Sequence, residues 1–414
     1  MQVDIVTIGD ELLLGLTIDT NGAWLGRELA AVGVTIARRT AVSDRATDIA
    51  AAVRDALDRT GAVITTGGLG PTADDLTKPA IAGLFGRELV FYETEWERIR
   101  GMWLERRRRE PPEANRQQVM LPHGAHVLVN HHGTAPGVFL EDERGRWVAM
   151  VPGVPREMRE MVTHQLMPLI QARLGQGDAP VRMRTVRTTG VAESDLPGRL
   201  GDAANGIGPL ELSYLPGPEG IDLRLTSRTL SADEAERALG EGAAVLAERV
   251  GTGVYATELR DMAAVVIDHC RAAGHTLAVA ESCTGGLLGA RITAIPGSSD
   301  VFLGGVIAYH NDVKRDALGV SPETLARAGA VSDEVACEMA SAVRTRMGAS
   351  IGIGITGVAG PGGGTTEKPV GLVYMAVDFE GEVTSIGTRF VGDREEIRFR
   401  ATQAALDIVR RRSS

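Results

Sequence analysis

The stretch 276–286, TLAVAESCTGG, passes from strand to turn to helix within a few residues. Its first half alternates small and β-branched apolar side chains, the pattern of a buried strand. It then breaks into Ser282-Cys283-Thr284, ends in Gly285-Gly286, and runs into LLGARITAI at helical spacing. Backbone N–H groups at a helix start lack intrahelical partners and sit at the positive end of the dipole. They suit a phosphate or a developing oxyanion. Ser282 stands in that field as a candidate nucleophile. The same residues also read as a Ser/Thr N-cap with glycines for the turn.

Strands that run into glycine turns recur along the chain, and many of its 51 glycines cluster there. That is the grammar of an α/β enzyme. A chain of 414 residues exceeds one ordinary core and predicts two to four domains. A net charge of −10 and a pI near 5.4 argue against a nucleic-acid binder. No apolar run approaches a membrane span, and the opening VDIVTIG, with no basic stretch before it, predicts no signal peptide. Cys270, Cys283 and Cys337 are odd in number and far apart, which fits a reducing cytoplasm without a disulfide frame or zinc site.

The N-terminal third reads βαβαβ: strands at 3–8, 34–38 and 62–66, helices at about 20–32 and 47–59. This predicts a parallel sheet covered on both faces. After the third strand comes GGLGPTADDLTK, 67–78. Gly67, Gly68 and Gly70 permit close backbone approach, Thr72 offers a hydroxyl, and the following helix start offers N–H groups. Asp74 and Asp75 would hold a hard divalent ion against phosphate oxygens. They read equally well as acids complementing a helix dipole. Asp10, Glu11 and Asp44 gain interest because ligands bind off the carboxyl ends of parallel strands.

TIGDELL, DTN, GGLGPTADDLTK, EANRQQVMLP, NHHGTAPG and VPGVPREM, in that order over residues 1 to about 165, resemble the N-terminal domain of the CinA (competence/damage-inducible) family. That domain is similar to molybdopterin-binding proteins. The resemblance implies catalysis and metal binding at Asp44 and Asp75, and divalent-metal hydrolysis of ADP-ribose to AMP and ribose 5-phosphate. Pro79 departs from the family, which more often has an acidic residue there. It falls in a first helical turn, where proline is tolerated.

Gly175-Gln176-Gly177-Asp178 reads as a linker, and residues 176–256 as a small α+β module. The resemblance implies the KH-like domain of CinA proteins, but no GxxG clamp accompanies it, so RNA binding is not expected. Spacing and dimer contact are its expected roles.

Residues 257–414 carry the opening stretch and further candidates. An apolar strand at 301–309 ends in Tyr309-His310-Asn311-Asp312-Val313-Lys314. Lys314 is a base only if burial or a nearby cation depresses its pKa, and Tyr309 is placed to relay a proton. Ordinary surface roles fit both residues as well. The strand at 351–356 puts Thr356 where a hydroxyl would face a ligand, and runs into the glycine-rich segment beginning at Gly357. Arg394 and Arg398 share a helix face and suit a phosphate or plain solvent.

AESCTGG, the spacing from Tyr309 to Lys314, GITGVAGPGGG and FVGDRE resemble the C-terminal CinA domain, over about 260–412. That domain converts nicotinamide mononucleotide to nicotinate mononucleotide and ammonia. The resemblance maps its nucleophile to Ser282, its Tyr to Tyr309, its Lys to Lys314, its Thr to Thr356 and its Arg to Arg394 or Arg398. Many relatives read YSN where this chain has Tyr309-His310-Asn311. The implied scheme is metal-free: Lys314, assisted by Tyr309, takes the proton of Ser282, and N–H groups of Cys283, Thr284 and Gly285 hold the oxyanion.

The expected architecture is α/β with a small α+β module in the middle. A molybdopterin-binding-like parallel-sheet domain occupies 1–175, a KH-like module 176–256 and an amidohydrolase domain 257–414. The expected protein is a cytoplasmic homodimer acting on nicotinamide mononucleotide and ADP-ribose. A divalent ion serves the N-terminal domain, and no nucleic acid or membrane is involved. Two rivals remain: a molybdenum-cofactor enzyme, which molybdopterin titration would reveal, and a non-catalytic partner of the DNA-uptake machinery, which would turn over neither nucleotide.

Overall fold

The computed structural model describes residues 1–174 and 180–412. The linker reading at 175–178, and the boundary between 175 and 176, lie outside them. The chain divides into two compact units, Met1–Arg182 with Arg228–Asp233, and Met183–Ser227 with Glu234–Ser414.

The first unit holds β1 (Gln2–Ile8), β2 (Thr35–Val42), β3 (Ala62–Thr66), β4 (Leu89–Phe91), β5 (Met120–Pro122), β6 (His126–Leu128), β7 (Gly137–Glu141) and β8 (Trp147–Val151). Six of them form one sheet in the order β2-β1-β3-β8-β7-β6, and β4 pairs with β5 apart from it. The expected parallel arrangement holds from β2 to β8, and β7 and β6 extend it antiparallel. The central strands are apolar on both faces because both are covered. Leu25, Leu29, Met158 and Leu166 pack in one cluster, and Ile49, Val53, Ile81 and Leu121 in another. β2 runs longer than expected, because the edge strand stays paired with β1 to Val42, with a shift in register between Val3 and Asp4. The helix Thr20–Ala31 is capped by Asp19, whose carboxylate accepts from the Gly22 N–H.

The second unit contains two sheets. The smaller, in the order β10-β11-β9-β12, uses β9 (Arg182–Thr188), β10 (Glu211–Gly217), β11 (Gly220–Ser227) and β12 (Val254–Ala256). The helix Ala232–Val250 seals it, with Leu239 and Leu246 against Leu223 and Leu225.

The larger has β13 (Leu277–Glu281), β14 (Phe302–Ile307), β15 (Ile351–Gly357), β16 (Leu372–Phe379) and β17 (Glu382–Arg389), in the order β14-β13-β15-β16-β17. β13 is parallel to both β14 and β15, while β16 and β17 return antiparallel. The helices Met262–Ala273 and Arg394–Arg412 cover one face, and Asp333–Met347 covers the other. The glycines of β15 explain how closely the last of these packs. A Cβ on Gly352 would lie 2.1 Å from the Ala340 carbonyl oxygen, and one on Gly354 2.3 Å from that of Ala336. The carboxyl ends of β13, β14 and β15 deliver Ser282, Tyr309 and Thr356, as ligand sites in parallel sheets require. No helix among the described residues is long and apolar enough to cross a membrane.

Candidate active site

Ser282 follows β13, and its N–H donates to the Ile355 carbonyl on β15 at 2.9 Å, fixing the start of the turn. Lys314 lies on the helical segment after β14. His310 starts that segment, its Nδ1 accepting from the Asp312 N–H, so the departure from YSN supplies a cap. Lys314 is 1% exposed, and its Nζ lies 3.0 Å from Ser282 Oγ, 2.9 Å from the Ala308 carbonyl oxygen and 3.4 Å from that of Tyr309. Burial pushes the pKa of this amine below the ordinary lysine value. A neutral amine has two N–H donors and one lone pair. In that form its donors would go to the two carbonyls and its lone pair to the Ser282 hydroxyl.

Cys283 differs in kind from its neighbour. Its side chain belongs to the apolar core under the sheet, and burial pushes its thiol up to about 12. A thiolate, the reactive form, is therefore scarce at neutral pH.

Three expectations change here. The helix start after the turn is not open to an anion, because Glu281 fills it. One oxygen of that carboxylate accepts from Gly286 and Leu288 at 3.0 Å each, and the other from Gly289 at 2.8 Å. Ser282 is not the N-cap either; Gly286 holds that position at φ 94 without a side-chain cap. Gly285 does not offer its N–H to an oxyanion, since it donates to the Ser282 carbonyl at 3.0 Å. Cys283 and Thr284 retain N–H groups without an acceptor among the described residues. The Thr284 hydroxyl is buried and unpartnered as well.

The roles expected of Tyr309 and Thr356 also change. The Tyr309 hydroxyl accepts from Arg394 at 2.9 Å and does not touch Lys314, so the phenol is not a proton relay in this arrangement. Thr356 is 1% exposed and donates to the Ala330 carbonyl at 2.7 Å, so its hydroxyl does not face a ligand. Gly357 is explained by packing, because a Cβ there would lie 2.7 Å from the Leu372 carbonyl oxygen. The two arginines separate. Arg398 is committed to the Thr284 carbonyl through Nε and Nη2, at 3.2 and 2.6 Å, and so holds the Ser282 turn. Arg394 bonds Gly360 O and Tyr309 and lines a cavity of about 620 Å³, while both arginines line another of about 280 Å³. Ser282 lines neither cavity; it is 8% exposed, with its hydroxyl beside Lys314. Sequence reasoning missed Glu281, although a carboxylate ending an otherwise apolar strand was the available signal.

In the first unit the glycine turn serves mainly itself. A Cβ on Gly67 would lie 2.3 Å from the Ile8 carbonyl oxygen, and one on Gly68 2.2 Å from Thr77 Oγ1. Asp75 is consumed by the turn: one oxygen accepts from the Gly70 N–H at 2.7 Å, the other from the N–H and hydroxyl of Thr72, at 2.8 and 2.5 Å. The expectation that Asp75 holds a metal therefore does not fit. Asp44 accepts from the Asp10 N–H at 2.9 Å. Burial first, then the charges of Asp10, Glu11 and Asp74, raise its pKa. Asp74 is exposed. Carboxylates that repel one another are the donors a hard cation takes. Among the described residues, however, no three His, Cys, Asp or Glu side chains converge as a formed metal centre. Asn21 reaches Thr66 Oγ1 at 3.0 Å and Gly153 O at 2.7 Å. Its buried carbonyl oxygen is unpaired, and it lines a small cavity of about 120 Å³.

Comparison with known proteins supplies the lineage. Residues 4–172 match the probable molybdopterin binding domain, 183–256 the damage-inducible protein CinA KH domain, and 259–413 the CinA C-terminal domain. A CinA-like protein of Gemmatimonas aurantiaca is 56% identical over 411 residues, covering 99% of this chain and 96% of its own. One from Desulfovibrio desulfuricans is 41% identical, covering 99% and 96%. The solved structure of the competence/damage inducible protein CihA from Agrobacterium tumefaciens is 43% identical, covering 36% of this chain and 90% of its own, with a TM-score of 0.35. With those three domains in that order and relatives matched along their full length, the chain belongs to the CinA family.

Proposed function

We propose that the C-terminal domain hydrolyses the carboxamide of nicotinamide mononucleotide, releasing nicotinate mononucleotide and ammonia. The observation that carries this reading is the buried pair of Ser282 Oγ and Lys314 Nζ at 3.0 Å. Ser282 attacks the carboxamide carbon as its proton passes to Lys314. The oxygen that gains charge is met by the N–H groups of Cys283 and Thr284. Lys314 returns the proton to the departing nitrogen, the C–N bond breaks, and ammonia leaves an acyl-serine. Water, deprotonated by the same amine, opens the ester and restores the hydroxyl. Arg394, on two cavities, takes the substrate phosphate, and Arg398 keeps the turn in shape. Purified protein incubated with nicotinamide mononucleotide should release ammonia. No release from folded protein, or full release from Ser282→Ala, rejects the scheme.

A second reading concerns the N-terminal domain: hydrolysis of ADP-ribose to AMP and ribose 5-phosphate with a divalent ion. The mutual repulsion around Asp44 favours it. Asp44, with Asp10, Glu11 and Asp74, would hold the ion, which neutralises pyrophosphate charge when bound. Asp75 shapes the turn. AMP formation from ADP-ribose, with and without added magnesium, tests this reading.

A further inference from the structure

The run Arg106-Arg107-Arg108-Arg109 stands out in a chain of net charge −10. It closes the helix Glu93–Arg107, and cations in a last turn complement the helix dipole. Three observations go beyond that ordinary role. Among the described residues no carboxylate pairs with any of the four, and Glu110, the acid that follows, is held by Arg100 at 2.9 Å. Two of the guanidiniums lie over one aromatic ring, with the Cζ atoms of Arg107 and Arg109 at 5.6 and 5.2 Å from the centre of Trp103. Between them the chain passes through Arg108 at φ 56, a left-handed position where glycine is the usual residue.

Trp103, Arg106 and Arg107 line a cavity of about 250 Å³ together with Gly133, Thr134 and Glu157. The loop that carries Gly133 and Thr134 is fixed from within. Arg98 donates to the carbonyls of Asn130, Gly133 and Thr134 at 2.7, 3.3 and 3.3 Å. Asn130 is fully buried, and its side chain accepts from the N–H groups of His132 and Gly133 at 3.0 and 2.7 Å. Thr134 is half-buried, and its N–H and hydroxyl bond nothing among the described residues. Glu157 is the only acid among the lining residues. One of its oxygens accepts from Asn130 at 2.6 Å, and two guanidiniums outweigh its charge.

We propose that this cavity binds a phosphate group. A guanidinium stacked on an aromatic ring is ordered in advance and keeps its fork of N–H donors free for phosphate oxygens. Arg106 and Arg107 supply the charge, and the N–H and hydroxyl of Thr134 donate to a further oxygen. Donors from three residues call for three oxygens, which a phosphate has and a carboxylate lacks. None of Asp10, Glu11, Asp44 and Asp74 lines the cavity, and neither does Ser282, so the assignment stands apart from both proposed reactions.

Full-length Arg394→Met protein in EDTA removes the phosphate contact proposed beside Ser282 and any cation at the acidic cluster. Calorimetric titration of that protein with inorganic phosphate and with ribose 5-phosphate should show saturable binding at one site per chain. Tighter ribose 5-phosphate assigns the group to a sugar ester, and inorganic phosphate as tight or tighter assigns it to the free ion; either supports the site. Adding Arg107→Met should weaken binding at least about tenfold, and adding Arg106→Met should do the same. Both side chains are exposed, so the melting temperature should hold. Arg108→Gly removes an equal charge from outside the cavity and suits φ 56, so it should leave binding within about twofold. No saturable binding, equal binding of ribose or acetate, insensitivity to both cavity variants, or an equal loss in Arg108→Gly would each overturn the assignment.

Discussion

Ser282 and Lys314 form a pair whose two halves have different costs. A lysine held away from water is disfavoured when charged, so the folded chain binds its proton less readily than the unfolded chain. Between the depressed folded pKa and the unfolded value near ~10.4, the unfolded state carries more protons. Stability therefore rises with pH through that window, and the cost is fully present below it. Lys314→Met should remove the cost, raising the melting temperature at pH 7 and flattening its pH dependence while abolishing ammonia release. A variant that melts lower at every pH would show that the amine stabilises the fold. The same depressed pKa places the rise of the wild-type rate with pH below the ordinary lysine range, and a flat rate profile would exclude Lys314 as base. For the nucleophile, Ser282→Ala should lower the rate at least about 10³-fold. Cys283→Ala should retain most activity and lose stability through a small core void. The reverse pattern would assign the attack to sulfur.

The strand β13, its turn and the short helix Leu287–Thr293 act as one element through Glu281. This buried carboxylate answers three backbone N–H groups and braces the loop that carries Ser282. Glu281→Gln weakens charge-assisted bonds and turns one acceptor into a donor that faces N–H groups. It should destabilise the chain by about 1–3 kcal/mol, with a larger fall in kcat than rise in KM because the turn is displaced. Urea melts and steady-state kinetics on one preparation separate these effects; unchanged stability would mean that Glu281 does not brace the turn. The element itself was legible in the sequence, since apolar alternation, small polar residues and paired glycines are local signals. The Lys314 position was legible too, as a cation a few residues beyond a strand end. What could not be read was which groups spend their hydrogen bonds on the chain itself. Asp75 is used by a turn that begins five residues before it, Tyr309 by an arginine 85 residues away, and Thr356 by a carbonyl on another segment. Spacing gives a side chain its place, whereas a partner depends on how distant segments fold over it.

Across the whole molecule, two candidate sites sit in separate compact units and rely on different charges. The first surrounds Asp44 with carboxylates, and the second pairs a hydroxyl with a buried amine whose pKa is lowered. Repelling carboxylates need a cation to bring a pyrophosphate near them, while a serine activated by an amine needs none. If both sites act, a chelator should abolish AMP formation from ADP-ribose and leave ammonia release within about twofold. Asp44→Asn should mimic the chelator: it removes one charge from the cluster but keeps an oxygen that can accept from the Asp10 N–H. Ser282→Ala should spare AMP formation. Offering both nucleotides to the wild type and the two variants, with and without EDTA, gives all the comparisons in one experiment. Ammonia release that collapses with EDTA, or with Asp44→Asn in folded protein, would mean that the two units do not work independently and that the amide chemistry depends on the acidic cluster.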